Sequence, residues 1–290
     1  MSIPLVRQIG AAVRNLDPAT VRATVSRPLK FGVLAADERC VDDICEFLSP
    51  VRCVTGRHEL VRIAKEEDFS RVSVGFAEQG VPHPEHFYSF DRNHPRESAA
   101  ALLGGREDMW LPIACNFSGL RGDVSERLIW KIAKENALFT VVTSLPNIVP
   151  AVLVLPWAVG ELASDTAFLT VNQVRLSFQL AAAHGNEVGY DRQSLQVGSI
   201  AGAALGWRAI ARQIVSKLPA GAGLVPKGLI AFAGTYVVGR ALEHWFREGS
   251  PLGRAARLEH FDDAKRRGRE AVERIVEHAL SASRTAVGRA

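Results

Sequence analysis

The chain has 290 residues and a mass of 31.5 kDa, which is long enough for two domains with buried cores. Hydrophobic residues make up 47% of it and charged residues 23%, a balance that excludes an intrinsically disordered chain. The mild net charge of +4 permits an acidic partner or an anionic lipid surface without requiring either. The mean hydropathy of +0.05 leaves membrane contact open.

All four cysteines lie in the first 115 residues, and no pair has the spacing CxxC. The first ten residues lack the apolar core of a secretory signal. These features predict free, mostly buried thiols in a reducing cytoplasm.

Short apolar runs alternate with amphipathic segments after a helical arm at 1–28. This alternation predicts a small α/β domain with a mainly parallel sheet over 29–117. Its predicted strands and helices are strands at 29–35, 51–55, 71–77 and 109–117, and helices at 38–48, 57–67 and 96–103. Asp37 is the predicted N-cap of the helix at 38–48.

The first strand–turn–helix of this domain is where a nucleotide-binding protein would have its phosphate loop. The turn at 35–39 contains neither GxxxxGK[ST] nor GxGxxG, and its acids Asp37 and Glu38 would repel phosphate. No cofactor and no nucleotide hydrolysis are predicted.

Histidines and carboxylates are concentrated at 81–97. Six of these residues could in principle bind a metal, but their spacing matches no standard zinc pattern. They are His83, Glu85, His86, Asp91, His94 and Glu97. Prolines in the segment favour an ordinary surface loop, so no metal site is predicted.

The residues from 118 to 249 predict an all-helical domain, which begins with a basic amphipathic helix around 125–134. The uncharged segment 137–160 is long enough to span a membrane, but it contains three prolines within eleven residues. Backbone groups freed by proline need partners that lipid cannot supply. Burial in protein or at an interface is therefore favoured over a membrane span.

One long helix is predicted at 164–185, mostly apolar with a narrow polar line. Glu161, Asp165, Asn172 and Gln179 fall on this line, the last three at intervals of seven residues, and Arg175 lies beside them. Such a line is either a thin solvated face or hydrogen-bonded contact inside a bundle, and the apolar neighbours favour the interior.

Small residues recur every fourth position in the next two helices, at Gly198, Gly202 and Gly206 and then at Ala231, Thr235 and Gly239. This spacing predicts a helical hairpin with close backbone approach, in a soluble bundle or in a membrane. Arg208 could bind acidic groups or lie on a solvated surface. The residues at 250–290 predict a charged, solvated helix with a frayed tail. Its expected thin apolar stripe consists of Leu258, Phe261, Val272, Ile275 and Ala279.

Several separated motifs in the second half resemble the YcjF-like, GTPase-associated family of unknown function. They are FSGLR at 117–121, SLPNIVP at 144–150, the 164–185 helix, GWRAIARQ at 206–213, LPAGAG at 218–223 and AFAGTYVVGRALEHWF at 231–246. The resemblance covers about 117–249 and implies no catalytic residue. In that family the domain often follows a GTPase domain, whose motifs are missing here, so 29–117 resembles a degenerate GTPase-like domain.

Together these observations predict an α+β, two-part protein that is a non-catalytic membrane-associated or adaptor protein. The alternatives are a soluble module that regulates a separate GTPase, and an enzyme that uses Asp165. Expected partners are a protein, a GTPase among the candidates, and a membrane surface, with no nucleic acid; a homo-oligomer is left open. The expected location is the cytoplasm or the inner face of the membrane. Candidate structural or interaction residues are Asp165, Asn172, Gln173, Arg175, Gly198, Gly202, Gly206, Arg208, Gly234 and Gly239.

Overall fold

The fold was analysed in a computed structural model, which describes residues 16–51, 58–145, 165–200 and 223–287. Their contacts divide them into two compact units. The sheet unit contains the described residues of 18–127 and 179–189. The helical unit contains those of 16–17, 128–178 and 190–287.

The sheet unit is built on four parallel strands in the order β2-β1-β3-β4. The strands are β1 Leu29–Leu34, β2 His58–Arg62, β3 Val74–Glu78 and β4 Phe87–Phe90. Its helices are α1 Pro18–Val25, α2 Glu38–Leu48, α3 Pro95–Gly105 and α4 Trp110–Asn116, with 3₁₀ helices at Glu66–Arg71 and Glu107–Met109. The parallel sheet predicted for this part of the chain is confirmed.

Strands β3 and β4 are joined by residues 79–86, eight residues without a helix. A parallel pair usually needs a crossover of about twelve residues or more. The short connection turns at Gly80, whose φ of +86° is a conformation that suits glycine.

Aromatic side chains fill one face of the sheet. The ring of Phe31 meets Phe76 and Phe117 edge-on, with centroid separations of 5.4 and 5.1 Å. Phe76 in turn contacts Phe90 at 5.3 Å. All four rings are fully buried or nearly so, and such pairs stabilise by more than their buried area alone.

The long helices are α5 Ser118–Thr143, α6 Asp165–Ala183, α7 Leu224–Glu248 and α8 Arg254–Val287, and residues 194–200 are also helical. In the helical unit, α7 and α8 pack closely along their lengths. Gly268 of α8 allows this approach, since a Cβ there would lie 2.4 Å from the ring of Phe232. The predicted two-part α+β fold, with a helical second part, is confirmed.

Two predictions from local pattern were wrong. The helix predicted at 57–67 is instead strand β2, because His58–Arg62 pairs in register with β1 at the sheet edge. The strand predicted at 109–117 is helix α4, all of whose residues are buried. A short apolar run does not distinguish a strand from a buried helix, and Pro112 lies in the first helical turn, where proline is tolerated.

The segment 81–97, predicted as a loop, contains strand β4 and the start of α3. The helices predicted at 38–48, 96–103 and 164–185 are present. Of the strand predicted at 51–55, only Val51 is described, and it lies outside any strand. The four-segment division of the chain made from the sequence stays a prediction.

The predicted charged helix after residue 250 is present as α8. Its apolar stripe differs in part from the expected one, because Leu258 is 58% exposed whereas Val272 is fully buried. The expectation of four free thiols was wrong for Cys115, which is disulfide-bonded, while Cys40 and Cys45 are free.

Among the described helices, none combines the length and the apolar character that a bilayer crossing requires. Helix α5 includes the first seven residues of the uncharged segment, 137–143. Residues 146–160 of that segment lie outside the described part of the chain.

Candidate functional site

The carboxyl ends of β1 and β3 are the place where a parallel sheet of this topology would bind a ligand. The chain moves from β1 outward to β2 and then returns to β3 on the other side of β1. Such a reversal opens a crevice beyond the carboxyl ends of the two central strands, where α/β proteins commonly bind ligands. We call the residues that follow β1, β3 and β4 at this end the carboxyl edge.

Glu78, the last residue of β3, lies at the centre of the carboxyl edge and bonds to the backbone there. Its Oε2 accepts hydrogen bonds from the backbone amides of Ala36 at 2.8 Å and Asp37 at 3.2 Å. Backbone amides at the start of a helix are the groups that bind phosphate in nucleotide-binding folds. Here a carboxylate of the same chain accepts from these amides.

Asp37 adds a second carboxylate at the same point. It is the N-cap of α2, and its Oδ1 accepts the amide of Arg39 at 3.0 Å. This confirms the predicted capping role of Asp37, because the free amides of a first helical turn favour a capping carboxylate. Three amides of the β1–α2 turn, those of Ala36, Asp37 and Arg39, are thus bonded to carboxylates of the chain.

Arg92, just after β4, ties the carboxyl edge to α2. Its Nε donates to Asp43, and its guanidinium lies 3.4 Å from Asp37 Oδ2. The hydrogen bond to Asp43 raises the pKa of Arg92, so the guanidinium stays charged. All three side chains are partly exposed.

Cys40 is buried under this group of charges. Burial, and next the negative charge of Glu78, raise the pKa of its thiol. The pKa of Cys45 is raised by burial and by Asp42. Protonated thiols are poor nucleophiles, which argues against covalent catalysis by either cysteine.

A cleft of about 630 Å³ opens beside the carboxyl edge, between α2 and the segment that follows β4. We call it the α2–β4 cleft. Its lining consists of Asp43, Glu46, Phe47, Phe90, Arg92, Asn93 and Pro95.

Strand β4 separates His83 and His86 from His94, and each of the three histidines contacts a different group. His86 lies 3.1 Å from the carbonyl of Phe69, and His94 lies 3.0 Å from Asp91. That hydrogen bond lowers the pKa of Asp91 and raises that of His94. Within the described ranges, no group of three metal-ligating side chains could hold an ion.

The helical unit buries a network of polar side chains, which we call the amide network. Asn172 of α6 donates from Nδ2 to Oδ1 of Asn136 at 2.8 Å. Asn136 of α5 donates to Thr235 of α7 at 2.8 Å. Asn136, Asn172 and Thr235 are all fully buried. The interior position predicted for Asn172 is confirmed.

Gln173 and Arg175, two further candidates, also contact neighbouring helices. Nε2 of Gln173 lies 3.4 Å from Thr235 Oγ1. Arg175 pairs with Glu135 of α5, and both side chains are mostly buried. Burial lowers the pKa of Arg175 and Glu135 opposes that shift. Asp165 begins α6, but its side chain lies outside the described part.

The glycine candidates have different surroundings. A Cβ at Gly239 would lie 2.7 Å from Ile129 of α5 and 3.1 Å from Leu176 of α6, so this small face lies against those helices. Gly234 is buried in α7. Gly198 is exposed, and no described atom lies within 4 Å of the point where a Cβ would be added to it. Gly202, Gly206 and Arg208 lie outside the described residues, as does most of the predicted hairpin's first helix.

Sequence reasoning missed Glu78, Arg92, Asn136 and Glu135. Glu78 ends a strand that was predicted one residue short of it, so only its position after an apolar run could have drawn attention to it. Asn136 and Glu135 lie in a charged stretch, KENA, where nothing local distinguishes a buried amide from an exposed one.

No protein-family model matches this chain, and neither the curated proteins nor the solved structures contain a significant match to it. The resemblance to the YcjF-like family therefore stays a prediction.

Proposed function

We propose that the protein is a non-catalytic adaptor whose sheet unit contacts another protein. The observation that carries the proposal is the position of Glu78. Its carboxylate accepts the Ala36 and Asp37 amides at the point where a nucleotide-binding sheet would receive phosphate. A phosphate would have to displace this carboxylate and also approach Asp37.

The chemistry around Glu78 supports the same conclusion. The Cys40 thiol has a raised pKa, and Arg92 is engaged by Asp43 and Asp37 rather than left to stabilise a developing negative charge. In the helical unit, Asn172 and Arg175 bond to α5. These contacts support the structural role proposed for both residues over a catalytic one.

Calorimetric titration of the full chain with Mg-GTP and Mg-ATP tests the non-catalytic part. We expect no heat of binding above dilution for either nucleotide, and no release of phosphate. Saturable binding of either one would overturn the proposal, because Glu78 would then not close the site. The variant Glu78→Ala serves as the comparison, since it removes the carboxylate that accepts hydrogen bonds from the Ala36 and Asp37 amides.

Size-exclusion chromatography of a non-denaturing extract of the cells that make the protein tests the adaptor part. We expect the chain in the extract to elute at a larger apparent size than the purified chain, with a second protein in constant ratio to it. Identical elution of extract and purified protein would contradict the proposal. If that second protein is a GTPase, the result supports the regulatory role suggested by the family resemblance. If the chain instead stays in the membrane fraction during carbonate extraction, the result supports attachment to the bilayer.

A further inference from the structure

The α2–β4 cleft lies on the sheet unit, where helix α2 meets the residues that follow β4. Two phenyl rings line it: Phe90 is 2% exposed, whereas Phe47 is only half-buried. The two ring centroids are 5.7 Å apart. The cleft therefore combines an apolar floor with a rim of charged and amide groups.

The helix on one side of this cleft is acidic. α2 contains Glu38, Asp42, Asp43 and Glu46 against one basic residue, Arg39. Its net charge of −3 contrasts with the +4 of the whole chain. A cationic ligand is thus attracted to this helix although the protein as a whole repels it.

The charges on α2 differ in whether the chain itself neutralises them. Asp43 is paired with Arg92, and Glu38 with Arg62 at 2.7 Å. Asp42 and Glu46 are exposed and form no ion pair with any described residue. They lie four residues apart and so share one helix face. Of the two, Glu46 lines the cleft. A free carboxylate beside an apolar floor matches a side chain with an apolar stem and a positive end, and Asp42 adds a second negative charge on the same helix face.

One such group of the chain itself, Arg96, packs on the ring of Phe47. The guanidinium carbon of Arg96 lies 5.3 Å from the ring centroid of Phe47. Arg96 is kept there by hydrogen bonds to the Gly119 carbonyl, at 2.8 Å, and to Asp123. Phe47 thus already has a cation packed on it, an interaction that aromatic faces favour.

We propose that the α2–β4 cleft binds a basic peptide segment of the partner protein. A lysine or arginine of that segment lays its stem along Phe47 and Pro95 and directs its charge to Glu46 and Asp42. This inference rests on the proposed adaptor function and names the chemistry of the partner.

The test measures binding of a fluorescein-labelled peptide of alternating lysine and leucine to the full chain by fluorescence anisotropy. A peptide of alternating glutamate and leucine, of equal length, is the ligand control. We expect saturable binding of the lysine peptide alone, and weaker binding as salt rises from about 50 to about 500 mM, since screening acts on exposed charges. No binding of the lysine peptide would overturn the inference.

Two double variants locate the binding. Asp42→Lys with Glu46→Lys reverses the free charges of α2, and we expect it to weaken binding by about tenfold or more. Glu259→Lys with Glu277→Lys makes the same change in net charge at exposed positions of α8, and we expect it to stay within about twofold of the unchanged protein. Equal weakening by both pairs would show a net-charge effect and overturn the assignment to the cleft.

The same variants separate this inference from the proposed function. If the α2 double variant still elutes in a large complex from cell extract, the adaptor function stands and the cleft is not its contact. If the complex disappears while the α8 double variant keeps it, both are supported. Self-association of the purified chain that the α2 variant abolishes would identify a second copy as the occupant and overturn a separate partner.

Discussion

The two units of this protein fix their internal arrangement in different ways. In the sheet unit, hydrogen bonds between backbone groups hold many of the elements in place. Four strands pair in parallel register, and Ser118 of α5 donates its amide to the carbonyl of Ser49 at 3.1 Å. The side chains packed on one face of this sheet are largely aromatic. In the helical unit, the interior contains the amide network and the Glu135–Arg175 pair.

The difference follows from where each element places its backbone hydrogen bonds. A strand bonds to its neighbours, so the backbone itself sets the register and the side chains are free to be apolar. A helix bonds within itself, so its backbone does not specify how it sits against the next helix. Buried side-chain hydrogen bonds can supply that missing specification. Variants that remove one contact at a time test this difference between the two units.

Gly119→Ala tests the backbone contact in the sheet unit. A Cβ at Gly119 would lie 1.7 Å from the carbonyl oxygen of Phe47, which is backbone and cannot rotate away. We expect a loss of about 3 kcal/mol or more in the free energy of unfolding, measured by urea denaturation.

The control is Gly122→Ala, one turn further along the same helix, where no described atom lies within 4 Å of the added Cβ. It should gain about 0.5–1 kcal/mol from helix propensity. Similar effects of the two variants would show that the close approach at Gly119 is unimportant.

Glu135→Ala tests the buried ion pair of the helical unit. The side chains of Glu135 and Arg175 are 15% and 17% exposed, so removal of the carboxylate leaves a poorly solvated guanidinium. We expect a loss of about 3 kcal/mol in unfolding free energy.

Glu273→Ala is the matched control, because Glu273 pairs with Arg269 at 3.6 Å on the exposed face of α8. Its loss should stay below about 1 kcal/mol. The double variant Glu135→Ala with Arg175→Leu should cost less than Glu135→Ala alone; a larger cost would refute the view that an uncompensated charge causes the loss.

Asn136→Leu tests the amide network. It leaves the amide of Asn172 without its acceptor and Thr235 without its donor from Asn136, all in a buried site. We expect a loss of about 2 kcal/mol.

Combining Asn136→Leu with Asn172→Leu and Thr235→Val makes the site apolar. This triple variant should regain part of the lost stability but show broadened side-chain NMR signals, since nothing polar then fixes the helices. Sharp, single signals from the triple variant would show that packing alone sets the arrangement.

Arg267→Ala should have the smallest effect. The Arg267 guanidinium lies 5.2 Å from the ring centroid of Trp130, and its Nη1 donates to the Tyr236 hydroxyl at 3.1 Å. Because Arg267 is about half exposed, we expect a loss of about 1 kcal/mol, visible as faster amide hydrogen exchange in α8. Arg274→Ala, at an exposed i,i+4 pair with Glu270, should leave exchange unchanged; equal acceleration would point to general weakening of α8.

Sequence reasoning was most successful where one element decides its own structure. The periodicity of 38–48 and 164–185 predicted α2 and α6, and the Asp37 cap was recognised from its position before a helix. It was wrong at 57–67, where pairing with β1 turned a helix-like pattern into an edge strand, and at 109–117, where seven buried residues form α4.

The sequence by itself determined the two-part α+β plan, the parallel sheet, the long helices and the interior position of Asn172, because periodicity and capping are local properties of the chain. Only the tertiary structure decided that Glu78 closes the carboxyl edge and that Asn136, Asn172 and Thr235 meet. Ala36 and Glu78 are 42 residues apart, and Asn136 and Thr235 are 99 apart. Their hydrogen bonds form because strand pairing and helix packing bring these residues together, and no local sequence pattern predicts such a contact.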